Sequence, residues 1–226
     1  MSALPPPGWE GDLRRALRVA EPEQVVDHVL RFEFDLGTLA DHVWRQLDAP
    51  VDADDGPNTL NAHGRSLEHG PLAGLGGVIV QELLEPLRAR HYAELLPRPF
   101  DADYTYVIEY GDEGDWDLPL HVDASHLTLN LCLGDTFEGG DLVLEGLRCE
   151  GHREFDPRAD EIVALEHGAG RAFVHLGAHR HHVTPVESGR RRNLIVWARH
   201  DADEDTLGGN GPCQPWCGLH RERPRG

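Results

Sequence analysis

The sequence contains no lysine: all 21 of its basic residues are arginine. That absence excludes Schiff-base chemistry of the pyridoxal phosphate or aldolase kind, and it removes the lysine with which a P-loop holds nucleotide phosphates. Methionine is nearly absent too, the initiator being its one instance. No apolar run approaches the ~20 residues of a transmembrane helix. The start, Met1-Ser-Ala-Leu-Pro-Pro-Pro-Gly8, lacks a basic stretch followed by an apolar one, so a cytoplasmic protein without membrane contact is expected. Positive charge is scarce: 40 acidic residues leave a formal net charge of −19, and protonating all 15 histidines would still leave −4. Nucleic acid and anionic membranes need a basic footprint, so neither is an expected partner. The four cysteines, Cys132, Cys149, Cys213 and Cys217, read as thiols or metal ligands rather than as a disulfide framework.

At 226 residues one domain is expected, with a core large enough to need no covalent staple. Residues 1–12 are proline-rich. Leu36, Leu39, Ala40, Val43, Trp44 and Leu47 fall on one face of an amphipathic helix. The stretch from Asp48 to Gly77 reads as a long loop, and a second helix over Val78–Leu96 is kinked or split at Pro86. Residues 1–100 thus read as a helical support within the same domain. From residue 101 the character changes. Tyr104–Tyr110 is β-branched and aromatic, and Leu127–Leu133 alternates strictly, with Thr128, Asn130 and Cys132 opposite the leucines. Asp141–Leu144, Arg171–Leu176 and Asn193–Arg199 continue the series. Short strands separated by glycine turns predict a mainly β (α+β) jelly roll over 101–200, whose polar inner face is a site rather than a packed core. Residues 201–226 read as a tail.

His121-Val-Asp123 carries the chemistry. In a strand, residues i and i+2 share a face, so an imidazole and a carboxylate converge. One further histidine would complete the two-histidine, one-carboxylate face of non-heme Fe(II) oxygenases, which leaves adjacent positions open for cosubstrate and O₂. The alternative is a surface ion pair. The third ligand must come from His175, His179, His181 or His182, the other three being expected at the surface. A turn within Pro185–Gly189 returns the chain so that His181 and Arg191 approach with an offset of about 7 Å. That suits a five-carbon diacid chelating metal at one end and meeting a guanidinium at the other. By alternation Arg190 and Arg192 face outward and Arg191 inward; the alternative is a solvated basic strand end. A metal-binding cupin (a sensor or isomerase) would have no need of that arginine. Cys149-x-x-His152 and Cys213-x-x-x-Cys217 together offer four soft ligands for a structural zinc, if the two pairs meet; otherwise they are thiols.

These residues resemble the Fe(II)/2-oxoglutarate-dependent dioxygenases of the prolyl 4-hydroxylase type. A narrower resemblance is to the 2-oxoglutarate and iron-dependent oxygenase domain-containing branch, over about residues 56–200. It is carried by Pro57-Asn-Thr-Leu-Asn61, Asp117-x-x-Leu-His121-Val-Asp123, Ser125-x-x-Thr128-Leu-Asn130, Phe137-x-Gly-Gly140, Arg148-Cys149-x-x-His152, His179-Arg-His181, Ser188-Gly-Arg-Arg191 and Asn193-Leu-Ile-x-Trp197-x-Arg199. His126 and His182-Val183 depart from that pattern. The resemblance implies a double-stranded β-helix with Fe(II) on His121, Asp123 and His181, and 2-oxoglutarate on Arg191. It implies hydroxylation of an unactivated C–H in a protein side chain, amino acid or metabolite, with release of succinate and CO₂ and with ascorbate as reductant. Tyr110 corresponds to the family's pocket tyrosine, although alternation alone makes it equally a core residue. Thr128 and Asn130 are further candidates for contact with the cosubstrate, because a buried polar row needs partners.

Overall fold

Leucine at every second position of residues 127–133 commits one face of that strand to a core and leaves the other polar. The architecture follows from this division. The computed structural model describes residues 9–19, 21–37, 40, 43, 60–70, 72–112, 114–200 and 213–220. In chain order its strands are β1 (Glu23–Val26), β2 (Val29–Glu33), β3 (Gly64–Ser66), β4 (Ala102–Gly111), β5 (Leu118–His121), β6 (Leu127–Gly134), β7 (Phe137–Gly139), β8 (Leu142–Leu147), β9 (Ile162–Leu165), β10 (Arg171–Leu176), β11 (His179–Val183) and β12 (Val186–Arg199). A large sheet runs β1-β2-β10-β6-β12-β4-β3, with β7 added beside β12, and a small sheet runs β5-β11-β8-β9. All of these strand pairs are antiparallel. Two such sheets face to face form a double-stranded β-helix.

Each face of the large sheet has its own apolar layer. Leu127, Leu129, Leu131 and Leu133 of β6, Ala172, Val174 and Leu176 of β10, and Leu194, Val196 and Ala198 of β12 point outward, away from the small sheet. There they meet α1 (Trp9–Val19) and a second helical stretch made of α2 (Leu75–Ile79), a π-turn (Val80–Leu84) and α3 (Glu85–His91). Burying each of these leucines contributes about 1.5–3 kcal/mol. The inner layer lies between the sheets and includes Tyr106, Ile108, Tyr110, Leu142, Leu144, Phe173 and Ile195.

The second helix neither splits nor ends at Pro86. It widens instead: the Glu85 N–H donates to Val80 O in π fashion, and Pro86 opens α3 where its missing donor costs least. The first hundred residues are less helical than expected. β1, β2 and β3 lie there, and β2 joins the large sheet directly against β10. The reason is visible in Leu30, Phe32 and Phe34, which alternate and are buried. Of the helix expected over Leu36–Leu47, the described residues are Leu36, Gly37, Ala40 and Val43; Ala40 and Val43 are helical, whereas Leu36 and Gly37 are not. Residues 48–59 of the expected loop lie outside them, as does most of the tail beyond residue 200. The turn expected within Pro185–Gly189 is also corrected. β12 already begins at Val186 and pairs with β7, so the chain crosses from the small sheet to the large one rather than doubling back on β11.

Candidate active site

His121 closes β5, and His181 is its register partner in β11. The pairing sets the two rings 4.2 Å apart between centroids. Asp123 lies just past the end of β5, where its N–H donates to Gly177 O at 3.0 Å. Its Oδ1 is 3.5 Å from His121 Nε2 and 3.7 Å from His181 Nε2. One ligand atom from each residue lies within 4.8 Å of the others.

The far side of each ring fixes what its Nε2 can do. His121 Nδ1 is 2.8 Å from Pro119 O, and His181 Nδ1 is 2.8 Å from His179 O. A carbonyl only accepts, so each Nδ1 carries the proton and each Nε2 keeps a lone pair, the tautomer that metal binding requires. Asp123 Oδ2 accepts from the Thr128 hydroxyl at 2.6 Å, and Thr128 Oγ1 lies 2.7 Å from Ser125 Oγ. This leaves Oδ1 facing the imidazoles. Burial drives His181 down to about 3, with Asp123 opposing it. Burial also works against an imidazolium at His121, but Asp123 outweighs it there and the value is raised. Burial alone would raise Asp123; His181, His121 and His175 hold it below the usual carboxylate range. A carboxylate and two imidazoles on one rim are a donor set suited to a divalent cation.

Of the four histidines that could supply the third ligand, His181 is the one the structure joins to His121 and Asp123. His182 turns outward to Glu145 at 3.2 Å. His175 and His179 are not surface residues as expected but are both buried. His175 Nε2 is 3.9 Å from Asp123 Oδ2, and burial lowers its pKa.

Arg191 is fully buried on the inner face of β12. Its Nε donates to Asn193 Oδ1 at 2.9 Å, and its Nη1 to Gly140 O. Its guanidinium lies over the Tyr110 ring, 4.7 Å from the centroid. Nη2 is buried with no hydrogen-bond partner, and among the described residues Arg191 makes no ion pair. Gly140 has φ +71, and a Cβ there would come within 2.9 Å of Arg191 Nη1, so glycine gives the arginine its room. Arg190 and Arg192 face the other way, to Asp135 at 3.1 Å and Glu109 at 2.6 Å. Arg192 is largely covered there rather than solvated.

The other candidates acquire protein partners. Thr128 supports Asp123. Asn130 Oδ1 accepts from Asn193 Nδ2, so Asn130 orients Asn193, which in turn orients Arg191. Tyr110 is buried, its hydroxyl pushed up to about 12 by burial, and it hydrogen-bonds Asn61. It is therefore part of the inner core and a platform for Arg191 at once. Asn193 and Ser125 were missed as site residues. Asn193 was within reach of the same alternation that selects Arg191, two positions away.

No family model matches the chain. In structure it is similar to a Pseudomonas putida prolyl-4-hydroxylase (TM-score 0.53, 16% identity, 78% of this chain and 95% of that one) and to a 2OG-Fe(II) oxygenase family oxidoreductase from Burkholderia pseudomallei (TM-score 0.53, 17% identity, 88% and 94%). The fold is thus that of the 2OG-Fe(II) oxygenases. In sequence it is 34% identical over 162 residues to the 2-oxoglutarate and iron-dependent oxygenase domain-containing protein ICU11 of Arabidopsis thaliana, covering 72% of this chain and 41% of the relative. The chain is a homologue of the 2-oxoglutarate and iron-dependent oxygenase domain-containing proteins, and it spans about two fifths of the length of the first relatives it matches.

Proposed function

We propose that the chain is an Fe(II)- and 2-oxoglutarate-dependent dioxygenase that hydroxylates an unactivated C–H of a protein side chain, amino acid or small metabolite, releasing succinate and CO₂. The observation that carries this reading is the fully buried Arg191, whose Nη2 has no partner, on the sheet facing a His121–Asp123–His181 group. A metal-binding cupin acting as sensor or isomerase has no use for a buried cation with an idle donor. A diacid chelated at one end has a use for it at the other. Fe(II) held by His121, Asp123 and His181 would supply O₂ activation coupled to decarboxylation of the cosubstrate.

The residues of the chain perform the rest. Backbone acceptors hold both imidazoles in the ligating tautomer. Thr128 keeps Asp123 from rotating. Arg191, stacked on Tyr110 and aligned by Asn193, offers its fork to the distal carboxylate in an enclosed place where water competes little. Ascorbate fits as an external reductant that returns iron to the ferrous state. A reducing, cytoplasmic setting, in which thiols stay free, is part of this reading. No helix among the described residues is long and apolar enough to cross a membrane.

The test is succinate formation by the purified chain with Fe(II), 2-oxoglutarate and ascorbate, against a panel of peptides, amino acids and metabolites. Iron-dependent succinate is expected, with loss in His121→Ala and in His181→Ala. Undiminished turnover in either variant refutes the ligand assignment. Failure to bind or turn over 2-oxoglutarate at all refutes the activity.

A further inference from the structure

A second group of metal-binding side chains lies apart from the iron ligands. Cys149 precedes and His152 ends the short turn Glu150–His152, closed by the His152 N–H donating to Cys149 O at 2.9 Å, which brings both side chains to one side. Cys217 is folded toward Cys213 by its own N–H, which donates to Gln214 O at 3.0 Å. The two pairs meet. His152 Nδ1 lies 3.3 Å from Cys149 Sγ, 3.4 Å from Cys217 Sγ and 3.5 Å from Cys213 Sγ. All four ligand atoms are within 4.8 Å of one another.

We propose that Cys149, His152, Cys213 and Cys217 bind a structural zinc ion that fastens segment 213–220 to the small sheet. A ring nitrogen offers one proton or one lone pair, so it cannot satisfy three sulfurs at once. A cation at their centre can. With Zn–S near 2.3 Å and Zn–N near 2.0–2.1 Å, the N···S edge of a tetrahedron is about 3.6 Å, close to all three observed distances. The thiols are not paired as disulfides. Four protein ligands close the coordination shell, which makes the role structural rather than catalytic.

The surroundings are built for the same purpose. The Gly218 N–H donates to Leu147 O at 2.9 Å, at the end of β8. Arg158 Nη1 donates to Gly218 O at 2.8 Å. A Cβ on Gly218 would meet Glu161 Oε1 at 2.2 Å and Arg148 Nη1 at 2.7 Å, so the segment seats directly on the Arg148–Glu161 ion pair. Arg180, next to His181, donates to the carbonyls of Arg153 and Phe155 at 2.9 and 2.7 Å and holds the loop that follows His152.

Elemental analysis of the purified full chain, freed of loosely held metal, tests the proposal. About one zinc per chain is expected. It should persist in His121→Ala and His181→Ala and be lost in Cys149→Ser and Cys213→Ser. Should a cysteine variant fail to fold, organomercurial titration of the unaltered protein decides: zinc should leave in step with thiol modification. Absence of zinc, its retention after the thiols have reacted, or its loss with the histidine variants alone would each overturn the proposal. A protein that holds this zinc yet forms no succinate would refute the dioxygenase reading and leave the zinc site standing.

Discussion

Replacing Arg191 by methionine separates cosubstrate binding from folding. In the ligand-free protein Arg191 is a fully buried cation without an ion-pair partner among the described residues. Burying such a charge costs several kcal/mol, and methionine removes that cost. Against it, Gly140 O and Asn193 Oδ1 lose their donor, at about 1–3 kcal/mol each. The two contributions are similar in size and opposite in sign, so the metal-free variant should unfold within about 2 kcal/mol of its parent. Binding should respond quite differently. Removing one partner of a buried, hydrogen-bonded charge pair costs about 2–5 kcal/mol, on the order of 30-fold to several thousand-fold in Kd. Calorimetric titration of 2-oxoglutarate into the Mn(II)-loaded proteins, beside urea unfolding of the metal-free ones, measures both. An affinity within about threefold of the parent would refute the assignment of Arg191 to the diacid, and a metal-free variant too unstable to fold would refute the balance of burial cost against lost hydrogen bonds.

Thr128→Val keeps the shape of the side chain but leaves Asp123 Oδ2 without its 2.6 Å donor. Iron affinity should fall about 10–100-fold, while turnover at saturating iron stays near the parent value; an unchanged iron titration contradicts the supporting role. Gly177→Ala would place a Cβ 2.0 Å from Ser125 O, a backbone atom that cannot swing away. We expect a loss of about 1–3 kcal/mol or more in chemical unfolding, and parent-like stability would show that the Ser125–Gly177 contact is not close. For Glu85, burial raises the carboxyl, but Arg88 and the Phe100 N–H together lower it below its ordinary value. A lowered folded value stabilises above the unfolded value and is lost as pH falls through the folded one. The parent should therefore lose more stability than Glu85→Gln on acidification below the ordinary carboxylate range, and parallel urea midpoints would refute this.

The legible strands were those with one face committed to a core. β4, β6 and β10 alternate because their outward residues face helices, and each was found within a residue or two. β5 and β11 were not legible as strands. Leu-Pro-Leu-His and His-Arg-His-His-Val carry no apolar alternation: each gives one residue to the inner core, Leu118 and Val183, and covered imidazoles such as His179 and His181 stand where further leucines or valines would mark the pattern. For the same reason β12 reads as starting at Asn193 although it begins at Val186: its early inward residue is Arg191. The two-residue spacing marked His121 and Asp123 as candidates, but β5 ends at His121, so the bond from Asp123 N–H to Gly177 O, not strand alternation, places the carboxylate beside the imidazole; His181 was one of four candidate histidines ahead of a basic strand. The meeting of Cys149 and His152 with Cys213 and Cys217, more than 60 residues away in the chain, is tertiary and leaves no local pattern.

The candidate iron ligands and the arginine belong to different layers. His121 and His181 ride on the small sheet, while Arg191, with Asn193 and Asn130 behind it, rides on the large one. Facing sheets sit about 10 Å apart, and here that spacing is set by the aromatic and leucine residues between them. A diacid anchored at both ends would span the gap as a strut. The separation of the layers then serves as a caliper for carbon-chain length: a dicarboxylate one carbon too short would have to draw two packed sheets together, and one too long would have to buckle.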